Sequence, residues 1–182
     1  MKKAVLAALG VLLLVALTAC GSSKSDNKDK VSLSKDEKTA VTSLEKAFTS
    51  STTGALTTTE ATCVATDFVD SVGLTKLKSA KLLTATNEVN TSGAPTFDAA
   101  TAGKFADALL GCVNYQKRLA TETAKTDTTI DAKKFEACLD KKLPDSLVKK
   151  MLVASQTNAK DSATIGEQGN KAMTDCKTEA KK

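Results

Sequence analysis

The chain has no histidine and no tryptophan, and only one arginine, one tyrosine and two prolines occur among its 182 residues. Without histidine, Ser-His-Asp and Cys-His catalysis and all imidazole-based metal sites are excluded. The motifs G-x-x-x-x-G-K-[ST], G-x-G-x-x-G and C-x-x-C are also missing, which argues against phosphate-binding loops, dinucleotide binding and thioredoxin-like redox chemistry. We therefore predict no catalytic, cofactor-binding or metal-binding residues, and we expect the protein not to be an enzyme.

Arginine and aromatic side chains are too scarce for nucleic-acid recognition. Arg118 is the single arginine, and lysines mix with acidic residues along the chain without forming a basic stripe in the sequence. Bidentate phosphate recognition relies on arginine, and nucleic-acid binding domains carry clustered basic residues with aromatic platforms. We therefore expect no nucleic-acid partner.

The N-terminus has the layout of an export signal. Lys2 and Lys3 precede an uncharged apolar stretch, Ala4 to Ala16, and Leu17-Thr18-Ala19-Cys20 follows it. Positive charge, an apolar core and small residues at the cut are the parts of a secretory signal. A retained membrane helix is an alternative, but the stretch is shorter than the roughly 20 residues that a span needs. Another alternative is an ordinary secreted protein that is cut after Ala19.

The tetrapeptide that ends at Cys20 resembles the lipobox of bacterial lipoprotein precursors. The resemblance implies that residues 1–19 are removed and that the Cys20 thiol carries lipid, which anchors the protein to the cell membrane on its extracytoplasmic face. Removing residues 1–19 of the 182 leaves 163, and the formal charge falls from +5 to +3 with the loss of Lys2 and Lys3. Residues 20–33 then form the lipidated cysteine and a polar tether with an r.m.s. reach of roughly 20 Å.

Four cysteines remain once Cys20 is assigned to lipid, namely Cys63, Cys112, Cys138 and Cys176. An exported protein lies in an oxidising compartment, where disulfides persist. Zinc is the rival interpretation, but it prefers closely spaced pairs, and the gaps here are 49, 26 and 38 residues. We predict two disulfides, and four cysteines allow three pairings.

Apolar residues recur at helical spacing throughout residues 34–182, so we predict one all-α domain, a small disulfide-stapled helical bundle. Ser34 with Glu37 and Thr57 with Glu60 fit capping boxes. Asp98 is the expected N-cap of a helix that continues to Leu119. The sequence also predicts a short helix over residues 74–84 and a polar linker over residues 121–129.

The cysteine-containing segments suggest two copies of one unit, at residues 57–120 and 131–180. Asp-Ser follows both Cys63 and Cys138 by seven residues, and each copy reads Cys, helix, short helix, loop, helix, Cys. This repeat favours Cys63 with Cys112 and Cys138 with Cys176, while the crossed pairing of Cys63 with Cys138 and Cys112 with Cys176 stays open. The layout resembles small two-bridge helical domains of actinobacterial lipoproteins, a resemblance that implies no activity.

Some motifs match catalytic patterns weakly. Ser43-x-x-Lys46 and Ser146-x-x-Lys149 fit S-x-x-K, and Ser25-Asp26-Asn27 fits S-D-N, two motifs of penicillin-binding enzymes. The K-T-G motif is missing, and S-D-N lies in the predicted tether. Asp67 and Asp70 could form a carboxylate pair, although a solvated helix face beside Lys76 and Lys78 is the simpler interpretation.

Two further features have no assigned chemistry. Tyr115 and Arg118 could form a contact patch, because these residue types are enriched at interaction hot spots; we favour an ordinary helix surface. The segments Thr52-Thr53 and Thr57 to Thr59 are candidates for glycosylation, which composition does not decide.

We predict a membrane-anchored envelope lipoprotein that acts as a non-enzymatic binding or interaction module. Its expected partners are the membrane, through the lipid on Cys20, and an envelope protein or a small amphiphile. The alternative is a lipid-binding lipoprotein whose pocket is lined by Phe68, Leu83, Phe105 and Leu109. An enzyme that uses Ser146 with Lys149, or Asp67 with Asp70, is a disfavoured third possibility because it needs those groups to converge in a cleft.

Overall fold

The structure is a computed structural model that describes residues 32–51, 55–157 and 159–182. The predicted export signal, Cys20, most of the tether, Ser25-Asp26-Asn27 and Thr52-Thr53 lie outside these residues. Within them the chain forms α1 (Lys35–Thr49), α2 (Thr58–Val72), α3 (Leu74–Ser79), α4 (Ala99–Cys112), α5 (Tyr115–Thr126), α6 (Ala132–Lys142), α7 (Asp145–Thr157) and α8 (Ser162–Glu179). The only β-type pairing in the described residues is two isolated antiparallel bridges. The predicted all-α class is therefore confirmed.

Three helices begin at the polar residues that the sequence predicts. The Ser34 amide donates to Glu37 Oε2 at 2.8 Å, and the Thr57 amide donates to Glu60 Oε2 at 2.9 Å. In both boxes the hydroxyl of the first residue accepts the amide of the acidic residue in return. Asp98 accepts an amide of the first turn of α4 at 2.7 Å. Each such cap stabilises its helix, because it satisfies amides that the helix itself leaves without partners.

Three helix boundaries differ from the sequence prediction, and two of them concern α4 and α5. The predicted helix through Leu119 breaks after Cys112, and Asn114 starts α5 by accepting the Lys117 amide at 2.9 Å. Residues up to Thr126, predicted to be in a polar linker, are helical because α5 packs against α6. In marginal sequences such packing outweighs intrinsic propensity.

The other boundary concerns α3, which ends at Ser79 instead of residue 84. Lys81 adopts a positive φ of 59°, which takes the chain out of the helix. Leu83 then pairs with Val89 in a short antiparallel bridge, and the turn between them places Asn87 at a φ of 65°. Asparagine tolerates this left-handed region better than most residues, so the turn fits its sequence.

The helices form two halves, each with its own hydrophobic core. In the N-terminal half, α1 to α4, the buried residues are Ala40, Val41, Leu44, Val64, Ala65, Phe68, Val69, Leu77, Leu83, Ala108 and Val113. The second core lies among α5 to α8, and residues of α4 also pack against it. Its buried residues are Ala106, Ala120, Ile130, Phe135, Cys138, Leu139, Leu143, Val148, Leu152, Ala172, Cys176 and Ala180. Helix α4 packs on both α2 and α7 and so connects the two halves.

Each half contains one disulfide, between its second and fourth helices. Cys63 of α2 is bonded to Cys112 of α4, with a Cα–Cα distance of 5.7 Å. Cys138 of α6 is bonded to Cys176 of α8, with a Cα–Cα distance of 5.5 Å. This is the pairing within each copy that the sequence favours, and not the crossed one. The halves divide between α4 and α5, so residues 115–120 of α5, which the predicted first copy (57–120) includes, pack with the second half.

Candidate functional site

One residue of each serine–lysine pair, Ser43 or Lys149, makes a structural contact with another part of the fold. Ser43 Oγ on α1 accepts the Val89 amide at 2.8 Å and thereby holds the loop before α4. Lys149 Nζ on α7 lies 2.6 Å from Asp107 Oδ1 on α4. Ser146 is exposed. Lys149 Nζ donates to both carboxylate oxygens of Asp107, and among the described residues no hydrogen bond joins it to Ser146.

Asp67 and Asp70 do not meet in a cleft either. Both lie on α2, where Asp67 is half-buried beside the first disulfide and Asp70 is exposed. A carboxylate oxygen of Asp67 and the sulfurs of Cys63 and Cys112 lie within 4.8 Å of one another, a spacing that could suit a metal. The sulfurs form a disulfide, however, and metals bind the thiolate. In the oxidised protein these atoms therefore do not form a metal site.

The lysines that the sequence places beside this acidic pair make other contacts. Lys76 Nζ lies 3.1 Å from Asp98 Oδ2, and Lys78 donates to the Ala85 carbonyl. Hydrogen bonds from the Thr101 amide and hydroxyl, and from Lys76, lower the pKa of Asp98 to about 2. Asp98 is thus ionised at the N-terminus of α4, where negative charge complements the helix dipole.

Tyr115 and Arg118 differ from the predicted surface patch. Tyr115 packs against the second core, and burial raises the pKa of its phenol. Arg118 lies between the halves: Nη1 donates to Glu60 Oε2 at 3.0 Å, and Nη2 donates to the Ala55 carbonyl. The sequence-based prediction that both residues lie on an ordinary helix surface is therefore wrong. A lone arginine in a lysine-rich chain is the only sequence signal of this link.

The four apolar residues proposed to line a pocket belong to the packed first core. Phe68 and Leu83 are buried, and Phe105 and Leu109 pack against the same cluster. The Phe68 and Phe105 rings contact edge to face, with centroids 5.1 Å apart, and Phe48 and Phe97 extend this aromatic group. Packing of this kind fills the space that an amphiphile would need.

Lysine is the commonest residue type in the lining of two shallow surface depressions. The larger, about 380 Å³, is lined by Lys35, Lys38, Thr39, Thr42, Ser43, Lys46 and Glu88. The smaller, about 280 Å³, is lined by Lys134, Ala137, Cys138, Lys141, Lys142 and Glu179. In the smaller one, Lys142 already binds Glu179 and Asp175, and these contacts raise the pKa of its ammonium group. The larger depression is the candidate functional site, and sequence analysis missed it because its lysines are separated along the chain by polar and acidic residues.

No protein-family model, curated protein or solved structure matches this chain. None of the helices in the described residues is both long and apolar enough to cross a membrane.

Proposed function

We propose that the protein is an envelope lipoprotein, held on the extracytoplasmic face of the cell membrane by lipid on Cys20, and that its helical domain is a non-enzymatic interaction module. The observation that carries the proposal is the pairing of the cysteines. The chain has five, and two disulfides use four of them. The remaining one is Cys20, which ends the lipobox-like tetrapeptide.

The disulfides also support an extracytoplasmic location. Structural disulfides persist in oxidising compartments and are rare in the reducing cytosol. Here both join helices that pack in the same half of the domain. Oxidation and folding therefore favour the same arrangement, as expected for a protein that matures after export.

An interaction role fits the way in which the halves are joined. Helix α4 packs into both halves, and the Arg118–Glu60 and Lys149–Asp107 ion pairs connect them across this junction. A domain fixed in this way presents its outer helix faces in one arrangement, which lowers the entropy lost on binding a partner. The candidate catalytic groups are, by contrast, engaged in structural contacts or exposed apart from one another.

The test is the intact mass of the protein extracted from membranes of its native host, measured with and without reduction. We expect a chain that starts at Cys20 with added acyl mass and that gains about four hydrogens when two disulfides are reduced. A Cys20→Ser variant should leave the membrane fraction, whereas a Ser22→Ala variant should stay in it. An unacylated chain would contradict the anchor. Release of a small amphiphile on denaturation would favour the lipid-binding alternative over the interaction module.

A further inference from the structure

The larger depression follows one face of α1. Lys35, Lys38 and Lys46 stand at positions i, i+3 and i+11, and Thr39 and Thr42 lie between them in the same depression. Residues at these spacings share a face of a helix, and eleven residues rise about 16 Å along its axis. We call Lys35, Lys38 and Lys46 the α1 lysine stripe.

The α1 lysine stripe faces solvent. All three lysines are exposed, whereas the opposite face of α1 packs into the first core. Across residues 32–51, 55–157 and 159–182, none of the three ammonium groups lies within ion-pair distance of a carboxylate, in contrast to Lys142 and Lys149. The stripe therefore carries positive charge that the described part of the fold does not neutralise by direct contact.

Helix α1 also carries three acidic residues, Asp36, Glu37 and Glu45, which are not among the residues that line the depression. Glu37 accepts the Ser34 amide in the capping box, and Glu45 accepts the hydroxyl of Thr62 on α2. Glu88 is the one acidic residue that lines the depression, opposite three lysines. The residues that line the depression comprise three lysines and one glutamate, a formal net charge of +2, and the Thr42 hydroxyl lies among them.

The position of α1 in the chain points to an occupant. Helix α1 starts at Lys35, fifteen residues after Cys20, and the tether predicted from the sequence has a reach of roughly 20 Å. A lipid on Cys20 would thus hold the stripe within reach of the membrane surface. Each lysine near an anionic membrane surface strengthens binding by about five-fold.

We propose that the α1 lysine stripe docks the folded domain on the anionic phospholipid headgroups of the membrane that holds the Cys20 lipid. The ammonium groups lie against headgroup phosphates, and the Thr42 hydroxyl donates a hydrogen bond to one of them. No aromatic side chain lines this depression, so the contact is electrostatic and sensitive to salt. The proposal rests on the proposed anchor, because the tether brings the stripe to the membrane.

The test uses the full mature chain from residue 20 onward with Cys20→Ser, so that no acyl chain contributes. Co-sedimentation is measured with vesicles of phosphatidylglycerol and of phosphatidylcholine. We expect binding to the anionic vesicles only, at about 0.1 M salt, and its loss at about 1 M, where the Debye length falls to about 3 Å. The triple variant K35Q/K38Q/K46Q should weaken this binding by more than about ten-fold.

The matched control is K134Q/K141Q/K150Q, which removes the same charge from exposed lysines of α6 and α7 and should weaken binding by less than about two-fold. Far-UV circular dichroism checks that both variants stay helical. If both triple variants lose vesicle binding equally, the proposal is overturned, because the attraction then depends on the overall charge of the domain and not on the α1 lysine stripe. Displacement by inorganic phosphate at constant ionic strength would overturn it in favour of a small-anion site. The tested chain carries no lipid, so a negative result does not contradict the proposed anchor. The intact mass of the protein from its native host tests the anchor separately.

Discussion

Arg118 on α5 and Glu60 on α2 are joined by an ion pair of 3.0 Å, and the Glu60 oxygen involved is the one that accepts the backbone amide and hydroxyl of Thr57. One carboxylate therefore completes the capping box of α2 and holds the first helix of the opposite half. Both side chains are about three-quarters buried, with 23% and 25% of their areas exposed. This contact makes the N-terminus of α2 part of the junction between the halves.

Replacement of Arg118 by glutamine should destabilise the domain. It removes a charge-assisted bond to Glu60 and the bond to the Ala55 carbonyl, a loss of about 1–2 kcal/mol in the free energy of unfolding at this degree of exposure. Urea unfolding measures the effect. The neighbouring Lys117→Gln is the control and should change stability by less than about 0.5 kcal/mol. Equal stabilities for the two variants would show that the Arg118 link contributes nothing measurable.

Removing either disulfide should lower stability by a similar amount. The bridges close loops with sequence separations of 49 and 38 residues, and the chain-entropy model assigns each about 4 kcal/mol because it restricts the unfolded chain. C63A/C112A and C138A/C176A are compared with the parent by denaturant unfolding without reductant. The single variants control for an unpaired thiol. Retention of full stability by a double variant would contradict this account for its bridge.

Two glycines of α8 should respond differently to alanine. A Cβ at Gly166 meets nothing within 4 Å, whereas a Cβ at Gly169 would lie 2.6 Å from Met151 Sδ on α7. Gly166→Ala should therefore raise the free energy of unfolding by up to about 1 kcal/mol through helix propensity. Gly169→Ala must also displace the Met151 side chain, so it should be the less stable variant in thermal unfolding. The reverse order would mean that α7 and α8 do not approach closely at Gly169.

Stability should fall in acid, with Asp98 among the causes. Its pKa is about 2 in the folded protein against an ordinary value of 3.8. A lowered folded pKa means that the stabilisation is fully present above the unfolded pKa and is lost as the pH falls through about 4 to about 2. Asp98→Asn should flatten this part of the profile, since asparagine can still cap the helix but does not titrate.

The control for this profile is Asp140→Asn, which removes an exposed carboxylate of α6 that caps no helix. Unfolding by urea is followed at several pH values between about 2 and about 6, the range that covers both pKa values of Asp98. The Asp140 variant should keep the slope of the parent. Identical profiles for the Asp98 variant and the parent would assign the acid sensitivity to other carboxylates, such as Asp131 and Asp175, whose pKa values are also lowered.

Local signals in the sequence predicted the parts of the fold that depend on neighbouring residues. The Ser34 and Thr57 capping boxes, the Asp98 cap and the helical class could be predicted because a cap needs a hydroxyl or carboxylate within three residues of the amides that it satisfies. The break after Cys112 was missed because the Asn114 cap lies inside an apolar pattern that continues on both sides of it. The disulfide pairing was favoured through the repeat, and only the packing of α2 on α4 and of α6 on α8 decided it.

The sequence by itself determined the helical class, the helix starts at Ser34, Thr57 and Asp98, and the presence of five cysteines, one of them in a lipobox-like tetrapeptide, since composition and short-range spacing carry these features. Only the tertiary structure decided that Arg118 binds Glu60, that Lys149 binds Asp107, and that Phe68 packs against Phe105 instead of lining a pocket. It also decided that Lys35, Lys38 and Lys46 line one depression, because the loop carrying Glu88 completes it. These contacts join residues that lie far apart in the chain, and no local pattern encodes which distant side chains a folded core brings together.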